Sequence, residues 1–111
     1  MPREFKLYLE DILDAIEWLT ADTSGISLDE FANNRTLRQA AERNCEIIGE
    51  AAKGVPQDVR EQLAAVDWKG MINLRDVVAH RYHRLDHSII WDTIKNHLPG
   101  IAQAIRSYLS R

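Results

Sequence analysis

Apolar residues recur at helical spacing almost from end to end of this chain, and this periodicity limits what it can fold into. In the first segment, roughly residues 3–21, they fall at i, i+3, i+7, i+11 and i+14: Phe5, Tyr8, Ile12, Ile16 and Leu19. Acidic side chains occupy the opposite side of this helix, which makes it amphipathic. No segment alternates apolar and polar residues with the period of two that a half-buried strand requires. The sequence therefore predicts an all-α protein.

Start and stop signals divide the chain into successive helices. "DTSG" ends the first helix, and "ISLDEF" begins a short second one, in which Ser27 caps the amide of Glu30 in a capping box, flanked by Ile26 and Phe31 as a hydrophobic staple. That helix ends near residues 33–34, and a long helix follows over residues 35–53. Gly54 is predicted to cap its C-terminus.

The second half of the chain contains three further predicted helices. Pro56 suits the first turn of a short helix that extends to about residue 66, with Val59, Leu63 and Val66 facing inward. Asp67 caps a helix over residues 68–82. Asp86 caps the last helix, which bends or breaks near Pro99. Short loops favour antiparallel neighbours, so we expect a four- to five-helix up-down bundle that forms one domain over residues 1–111.

Two residues of the long helix interrupt its apolar pattern. Asn44 lies on the apolar stripe, where we expect a buried amide that bonds to a neighbouring helix; a role in a functional site is the alternative. Gly49 costs about 1 kcal/mol relative to alanine in a helix interior. Close packing of another helix against Gly49 is the expected reason for it.

Composition restricts the class of protein. Cys45 is the only cysteine, so no intramolecular disulfide forms, and the charged N-terminus does not resemble a signal peptide. No apolar run reaches the roughly 18 residues that a membrane span needs. A formal net charge of −3 argues against a long surface for duplex DNA. These features favour a cytoplasmic protein with no membrane association.

Cations are concentrated in one short stretch, "NLRDVVAHRYHRLDH", residues 73–87. It holds three of the four histidines of the chain together with three arginines. Arg75 and Tyr82 lie on one side of a regular helix, and His80 lies about 140° around from Arg75. An arginine and a histidine close together suit the cleavage of phosphate esters without a metal, because a guanidinium binds phosphate oxygens and an imidazole transfers protons near neutral pH. If the substrate were RNA, its own 2′-hydroxyl could supply the nucleophile.

Plainer explanations of this stretch remain open from the residues alone. Arg81, His83 and Arg84 suit a solvated helix C-terminus, where the macrodipole favours cations. A zinc site formed by His80, His83 and His87 is the second alternative. The predicted cap at Asp86 interrupts regular helical geometry within that set, so we expect no metal.

Four blocks of the sequence resemble one family. "RDVVAHRY" (residues 75–82) resembles the R-x4-H-x-Y motif of the HepT-like toxins of the HEPN superfamily. "RNCEIIGEAAK" (43–53), "DWKGMINLRD" (67–76) and "IIWDTIKNHLP" (89–99) are similar to the family's other signatures and stand in family order. Asp76 departs from the pattern, since many relatives have another polar residue there, often asparagine.

The resemblance implies an HEPN-like bundle and a metal-independent endoribonuclease toxin of a type VII-like toxin–antitoxin pair. Arg75 and His80 would be catalytic, and Tyr82 would be the residue to which a nucleotidyltransferase antitoxin attaches AMP. Arg81, His83 and Arg84 are candidate contacts to RNA phosphates. The family implies a homodimer and no cofactor. Two alternatives stay open: a catalytically silent HEPN module that binds RNA, nucleotide or the transferase, and a plain helical interaction protein.

Overall fold

The computed structural model describes residues 4–79 and 87–111, and every regular element within them is helical. The prediction of an all-α bundle is thus confirmed. In chain order the elements are α1 (Phe5–Thr23), α2 (Leu28–Ala32), α3 (Arg35–Gly54), α4 (Gln57–Gln62), α5 (Trp68–Ala79), α6 (His87–Asp92), a π-helical turn (Thr93–His97) and α7 (Leu98–Leu109).

Helix α3 is the centre of the bundle, because α1 packs along one side of it and α5 along another. α7 closes against α1, and α2 meets α6 through the rings of Phe31 and Trp91, whose centroids are 5.5 Å apart. The interior positions form one hydrophobic cluster, to which every long helix contributes, among others Leu9, Ile12, Ile16, Ile48, Met71, Ile94 and Ile105. None of the helices in the described ranges combines the length and apolarity needed to cross a membrane.

Side-chain caps begin three of the helices. The Ser27 hydroxyl accepts a hydrogen bond from the Glu30 amide at 3.1 Å, and the Asp67 carboxylate accepts one from the Gly70 amide at 2.9 Å. Both caps were predicted, and both are confirmed. Asn34 caps α3 in the same way, since its side-chain oxygen accepts from the Leu37 amide at 3.0 Å. Each cap satisfies a backbone donor that the first turn of a helix leaves without a partner.

The predicted cap at Gly54 is wrong. Gly54 is the last residue of α3, and the capping residue is Val55, with an extended backbone (φ −74°, ψ 125°). Arg60 satisfies the carbonyl groups there instead, donating to the Ala52 oxygen at 2.9 Å and to the Val55 oxygen at 3.0 Å. Gly54 instead packs closely against another helix. A Cβ there would lie 2.5 Å from the ring of Tyr8 on α1.

Helix ends elsewhere follow the predicted signals with small shifts. α1 ends at Thr23, and the turn after it contains Gly25 with φ +75°. α4 stops at Gln62, earlier than predicted, although Leu63 and Val66 are buried as expected. The bend or break predicted near Pro99 takes a milder form, because the chain stays helical and widens into the π-helical turn just before this residue. Proline removes a backbone donor and clashes with the preceding turn.

Candidate functional site

Arg75 is positioned by the close approach of α5 to α3. A Cβ on Gly49 would lie 2.7 Å from the Arg75 Cβ, 3.1 Å from the Arg75 backbone nitrogen and 3.2 Å from the Met71 carbonyl oxygen. The two helices can be this close only because Gly49 has no side chain. The prediction that a helix packs closely on Gly49 is confirmed, and its consequence is a fixed backbone at Arg75.

The Arg75 side chain extends from the α3–α5 contact into solvent, beside Glu50 of α3. Its Nε lies 3.5 Å from Glu50 Oε1, and the two side chains are 44% and 55% exposed. An ion pair this exposed contributes little stability. It orients the guanidinium through Nε, and the two Nη groups carry the forked donors that suit a phosphate.

Sequence reasoning missed Glu50. It lies within the block "RNCEIIGEAAK", and it directly follows Gly49, which was singled out for close packing. Once Gly49 is placed against Arg75, the next residue of α3 comes within reach of the arginine. That juxtaposition arises from tertiary packing, and no spacing along the chain signals it.

Two apolar residues of α5 that precede Arg75 face the core. Met71 is 2% exposed and Leu74 is 9% exposed, so they face the core while Arg75 faces outward. Asn44 is buried, as predicted, with 8% of its surface exposed. The hydrogen-bond partner predicted for Asn44 on a neighbouring helix remains a prediction.

The other predicted site residues lie outside the described residues. They are His80, Arg81, Tyr82, His83 and Arg84, and the predicted cap Asp86 belongs with them. His87, the last histidine of the stretch, is the first residue of α6. Its Nε2 lies 3.4 Å from Nη1 of Arg38 on α3.

The direction of α5 relative to α3 shows where Arg75 and His87 lie along α3. The guanidinium of Arg60, which bonds to Ala52 near the end of α3, lies 5.9 Å from the ring centre of Trp68, where α5 begins. Seven residues later, Arg75 is at the level of Gly49. α5 is therefore antiparallel to α3 and advances toward its N-terminal half. His87 meets that same half at Arg38.

Cys45 is excluded as a nucleophile by its surroundings. It is fully buried in the core. Burial, with a smaller contribution from the charges of Glu42 and Glu46, raises the pKa of its thiol to about 12. The thiolate is the reactive form of cysteine, so this thiol is inert at neutral pH.

A second polar cluster lies on the π-helical turn. His97 Nε2 is 3.1 Å from Asp92 Oδ2, and Asn96 donates to Asp92 Oδ1 at 2.6 Å. The bond from Asn96 first, and then the one from His97, lower the pKa of Asp92. His97 also borders a largely apolar cavity of about 500 Å³ between α5 and α7. The histidine is engaged with its carboxylate. The cavity's other polar side chains are engaged as well, since Asp67 caps α5 and the Thr93 hydroxyl donates to the Ile89 carbonyl oxygen at 2.9 Å.

The zinc site weighed from the sequence lies largely outside the described residues. Within residues 4–79 and 87–111, no group of three or more His, Cys, Asp and Glu side chains is arranged to hold a metal ion. Two of the three histidines weighed as zinc ligands, His80 and His83, are not among these residues.

Comparison with known proteins identifies close counterparts of the whole chain. The sequence model of the family described as "Ribonuclease HepT-like" matches residues 10–108. A candidate RNase of Caldanaerobacter subterraneus subsp. tengcongensis is 36% identical over 104 residues, covering 94% of this chain and 93% of that protein. A candidate RNase of Methanocaldococcus jannaschii is 36% identical over 103 residues, with coverages of 93% and 94%. A probable ribonuclease HepT of Thermococcus cleftensis is 36% identical over 101 residues, with coverages of 91% and 92%. No solved structure matches the chain.

Proposed function

Because this chain belongs to the Ribonuclease HepT-like family of the HEPN superfamily, as the resemblance predicted, we propose that it is the endoribonuclease toxin of a toxin–antitoxin pair in the cytoplasm. The ribonuclease activity rests on family membership. The toxin role, the metal independence and the means of neutralisation are proposals.

The observation that carries the chemistry is the placement of Arg75. It is the first residue of the motif, its backbone is held against Gly49, and its guanidinium is exposed beside Glu50. A guanidinium held in this way binds a phosphate and stabilises the charge that develops on it in the transition state, without having to be reorganised first.

The proposed reaction needs only groups of the protein and the RNA. The 2′-oxygen attacks the adjacent phosphorus, the bond from phosphorus to the 5′-oxygen breaks, and a 2′,3′-cyclic phosphate and a 5′-hydroxyl result. One proton leaves the 2′-hydroxyl and one reaches the departing 5′-oxygen, and an imidazole can perform either transfer. His80 is the motif's imidazole, and we assign this role to it. Arg81, His83 and Arg84 are proposed to bind neighbouring phosphates.

Incubation with labelled single-stranded RNA in EDTA tests the activity. Cleavage that persists in the chelator, with cyclic phosphate ends, is the expected result. Cleavage that stops in EDTA and returns with zinc or magnesium would contradict the metal-free mechanism. Binding without cleavage would favour the silent HEPN module, and neither binding nor cleavage would favour a helical interaction protein.

We propose a two-fold homodimer in which residues 75–83 of both chains line one cleft. A single arginine and a single histidine provide little charge for a scissile phosphate, and a two-fold axis would double that set. Equilibrium sedimentation at tens of micromolar should show a dimer. A monomer throughout that range would contradict the shared cleft.

Neutralisation is proposed to occur at Tyr82, through AMP transferred by a cognate minimal nucleotidyltransferase. A phosphodiester on this tyrosine, two residues after His80, would occupy the cleft and reduce its positive charge. Co-expression with the transferase should add one or more AMP units to the mass and abolish RNA cleavage. Tyr82→Phe should remain unmodified at that position and remain toxic. If Tyr82→Phe is silenced as fully as the wild type, control by modification of Tyr82 is wrong.

A further inference from the structure

Arg38 and His87 form a pair across the bundle that the assigned chemistry does not use. They are 49 residues apart in the chain, and Arg38 Nη1 lies 3.4 Å from His87 Nε2. A guanidinium has only donors, so the imidazole accepts through Nε2 and its own proton is on Nδ1. The contact joins the N-terminal part of α3 to the first residue of α6.

One hydrogen-bond donor of the Arg38 guanidinium lacks a partner. Its Nε is buried without a hydrogen-bond partner, the only side-chain atom in the described part of the chain of which this is true. Buried polar atoms nearly always have a partner, so each exception calls for a physical reason. A phosphate bound edge-on to the guanidinium would engage Nε and an Nη together, after a side-chain rotation that brings this edge to the surface.

Helix stability does not explain a cation at this position either. Arg38 lies one turn into α3, which begins with Arg35 and carries no acidic residue in its first turn. A cation in the N-terminal part of a helix gains no stability from the helix dipole. The long-range contact with His87 and the unsatisfied Nε both belong to Arg38, and a ligand of negative charge would give the Nε a partner.

Helix geometry places Arg38 in line with the ribonuclease motif. Arg38 precedes Gly49 by eleven residues, close to three full turns, so both project from one face of α3. On that face, Gly49 packs directly against Arg75 of α5. The two arginines thus arise from levels of the bundle separated by roughly 16 Å along the α3 axis.

We propose that Arg38, next to His87, is a distal subsite for a phosphodiester of the RNA strand, several nucleotides from the bond that is cut. The assignment rests on the proposed ribonuclease function. It makes Arg38 a binding residue that acts on long substrates only, because a dinucleotide bound at Arg75 does not extend to the level of Arg38.

Binding of a single-stranded oligonucleotide with 2′-O-methyl riboses tests the subsite, because this probe lacks the nucleophile and stays intact. Loss of one phosphate contact reduces the slope of log K against log salt by about 0.7 for a single strand. We expect Arg38→Gln to show this reduction and to bind a ten-nucleotide probe about tenfold more weakly, as loss of a charged hydrogen bond predicts.

The matched control is Arg43→Gln on the same helix. Arg43 is 65% exposed and pairs with Glu46 at 3.5 Å. This control should retain the wild-type affinity and slope. Equal losses in both variants would mean a general charge effect and would overturn the subsite, as would a folded Arg38→Gln with unchanged binding.

A conservative variant and a short substrate complete the test. Arg38→Lys keeps the charge but not the forked donors of the guanidinium, so it should keep the salt slope and lose affinity. Wild-type affinity in Arg38→Lys would overturn edge-on binding. This variant also decides the question if Arg38→Gln does not fold. A dinucleotide should be cleaved equally by wild type and Arg38→Gln. Absence of all cleavage, with binding that still depends on Arg38, would overturn the proposed function and leave the subsite intact.

Discussion

Helix α3 packs against its two neighbours through two glycines, and the two contacts differ in kind. At Gly49 a side chain would meet the backbone nitrogen and Cβ of Arg75 and the carbonyl of Met71. At Gly54 a side chain would meet the ring of Tyr8 on α1. The first contact joins helix to helix at the backbone, and the second joins a helix to a side chain.

The difference indicates which of the two glycines positions a residue of the candidate site. A backbone cannot move aside without displacing its whole helix, whereas an aromatic ring can turn about its side-chain torsions. Gly49 therefore determines the position of the Arg75 backbone, while Gly54 affects only how α1 packs on α3. The same residue type in one helix serves the site in one case and the core in the other.

The largest contrast between the two contacts is expected in catalysis. Arg75→Ala should reduce RNA cleavage by about 10²-fold or more, as loss of a transition-state charge contact typically does. Its unfolding free energy should change little, because the Arg75–Glu50 ion pair is exposed. His80→Ala should reduce cleavage to a similar extent. Initial rates on a labelled RNA, with circular dichroism to verify folding, measure this.

Tyr8→Ala, at the contact between Gly54 and α1, is the control for these variants. It should lower stability and leave the cleavage rate of the folded protein unchanged. Full activity in folded Arg75→Ala would remove this arginine from the mechanism. A catalytic loss in Tyr8→Ala would show that the α1 contact also serves the site.

Adding a methyl group at Gly49 should separate α5 from α3. The strain of overpacking is about 1–3 kcal/mol, partly offset by the better helix propensity of alanine. We expect Gly49→Ala to lower the unfolding free energy in urea and to reduce cleavage, because Arg75 moves. A stable and fully active Gly49→Ala would mean that the contact tolerates a side chain and does not position the arginine.

The dependence of stability on alkaline pH tests the burial of Cys45, which lies one helical turn from Gly49 in α3. The pKa of this thiol is raised from 9.0 to about 12, so folding favours its protonated form. That contribution is present below pH 9 and is lost as the pH rises toward 12, at up to about 1.4 kcal/mol per pH unit. Urea unfolding of wild type and Cys45→Ala between pH 8 and 10 should show a steeper decline in the wild type. Parallel curves would contradict the burial of the thiol.

The smallest effect is expected at Gly54. Its added Cβ would meet the outer atoms of the Tyr8 ring, which can shift, and alanine improves the helix by about 1 kcal/mol. Gly54→Ala should therefore change the unfolding free energy by less than about 1 kcal/mol and leave cleavage unchanged. In a Tyr8→Ala background the same substitution should become stabilising. A loss as large as that of Gly49→Ala would remove the distinction between the two contacts.

Local signals in the sequence were sufficient for the helices and for many of their ends. The apolar period defined the inward faces, Ser27 and Asp67 cap helices as predicted, and the last helical segment widens into a π-helical turn before Pro99. These features depend on hydrogen bonds and clashes among residues within about one turn of each other, which the order of residues specifies directly. The motif that begins at Arg75 could likewise be identified from the sequence, because a family signature is a local pattern.

Only the tertiary structure decided which distant residues meet. It assigned Gly54 to the ring of Tyr8 where the sequence indicated a helix cap, brought Glu50 to Arg75, and paired Arg38 with His87. Such contacts depend on how closely two helices pack and on their relative rotation, which all side chains of the shared interface determine together. The spacing along one helix specifies its own faces, and the choice of partner for each face is made when the bundle closes.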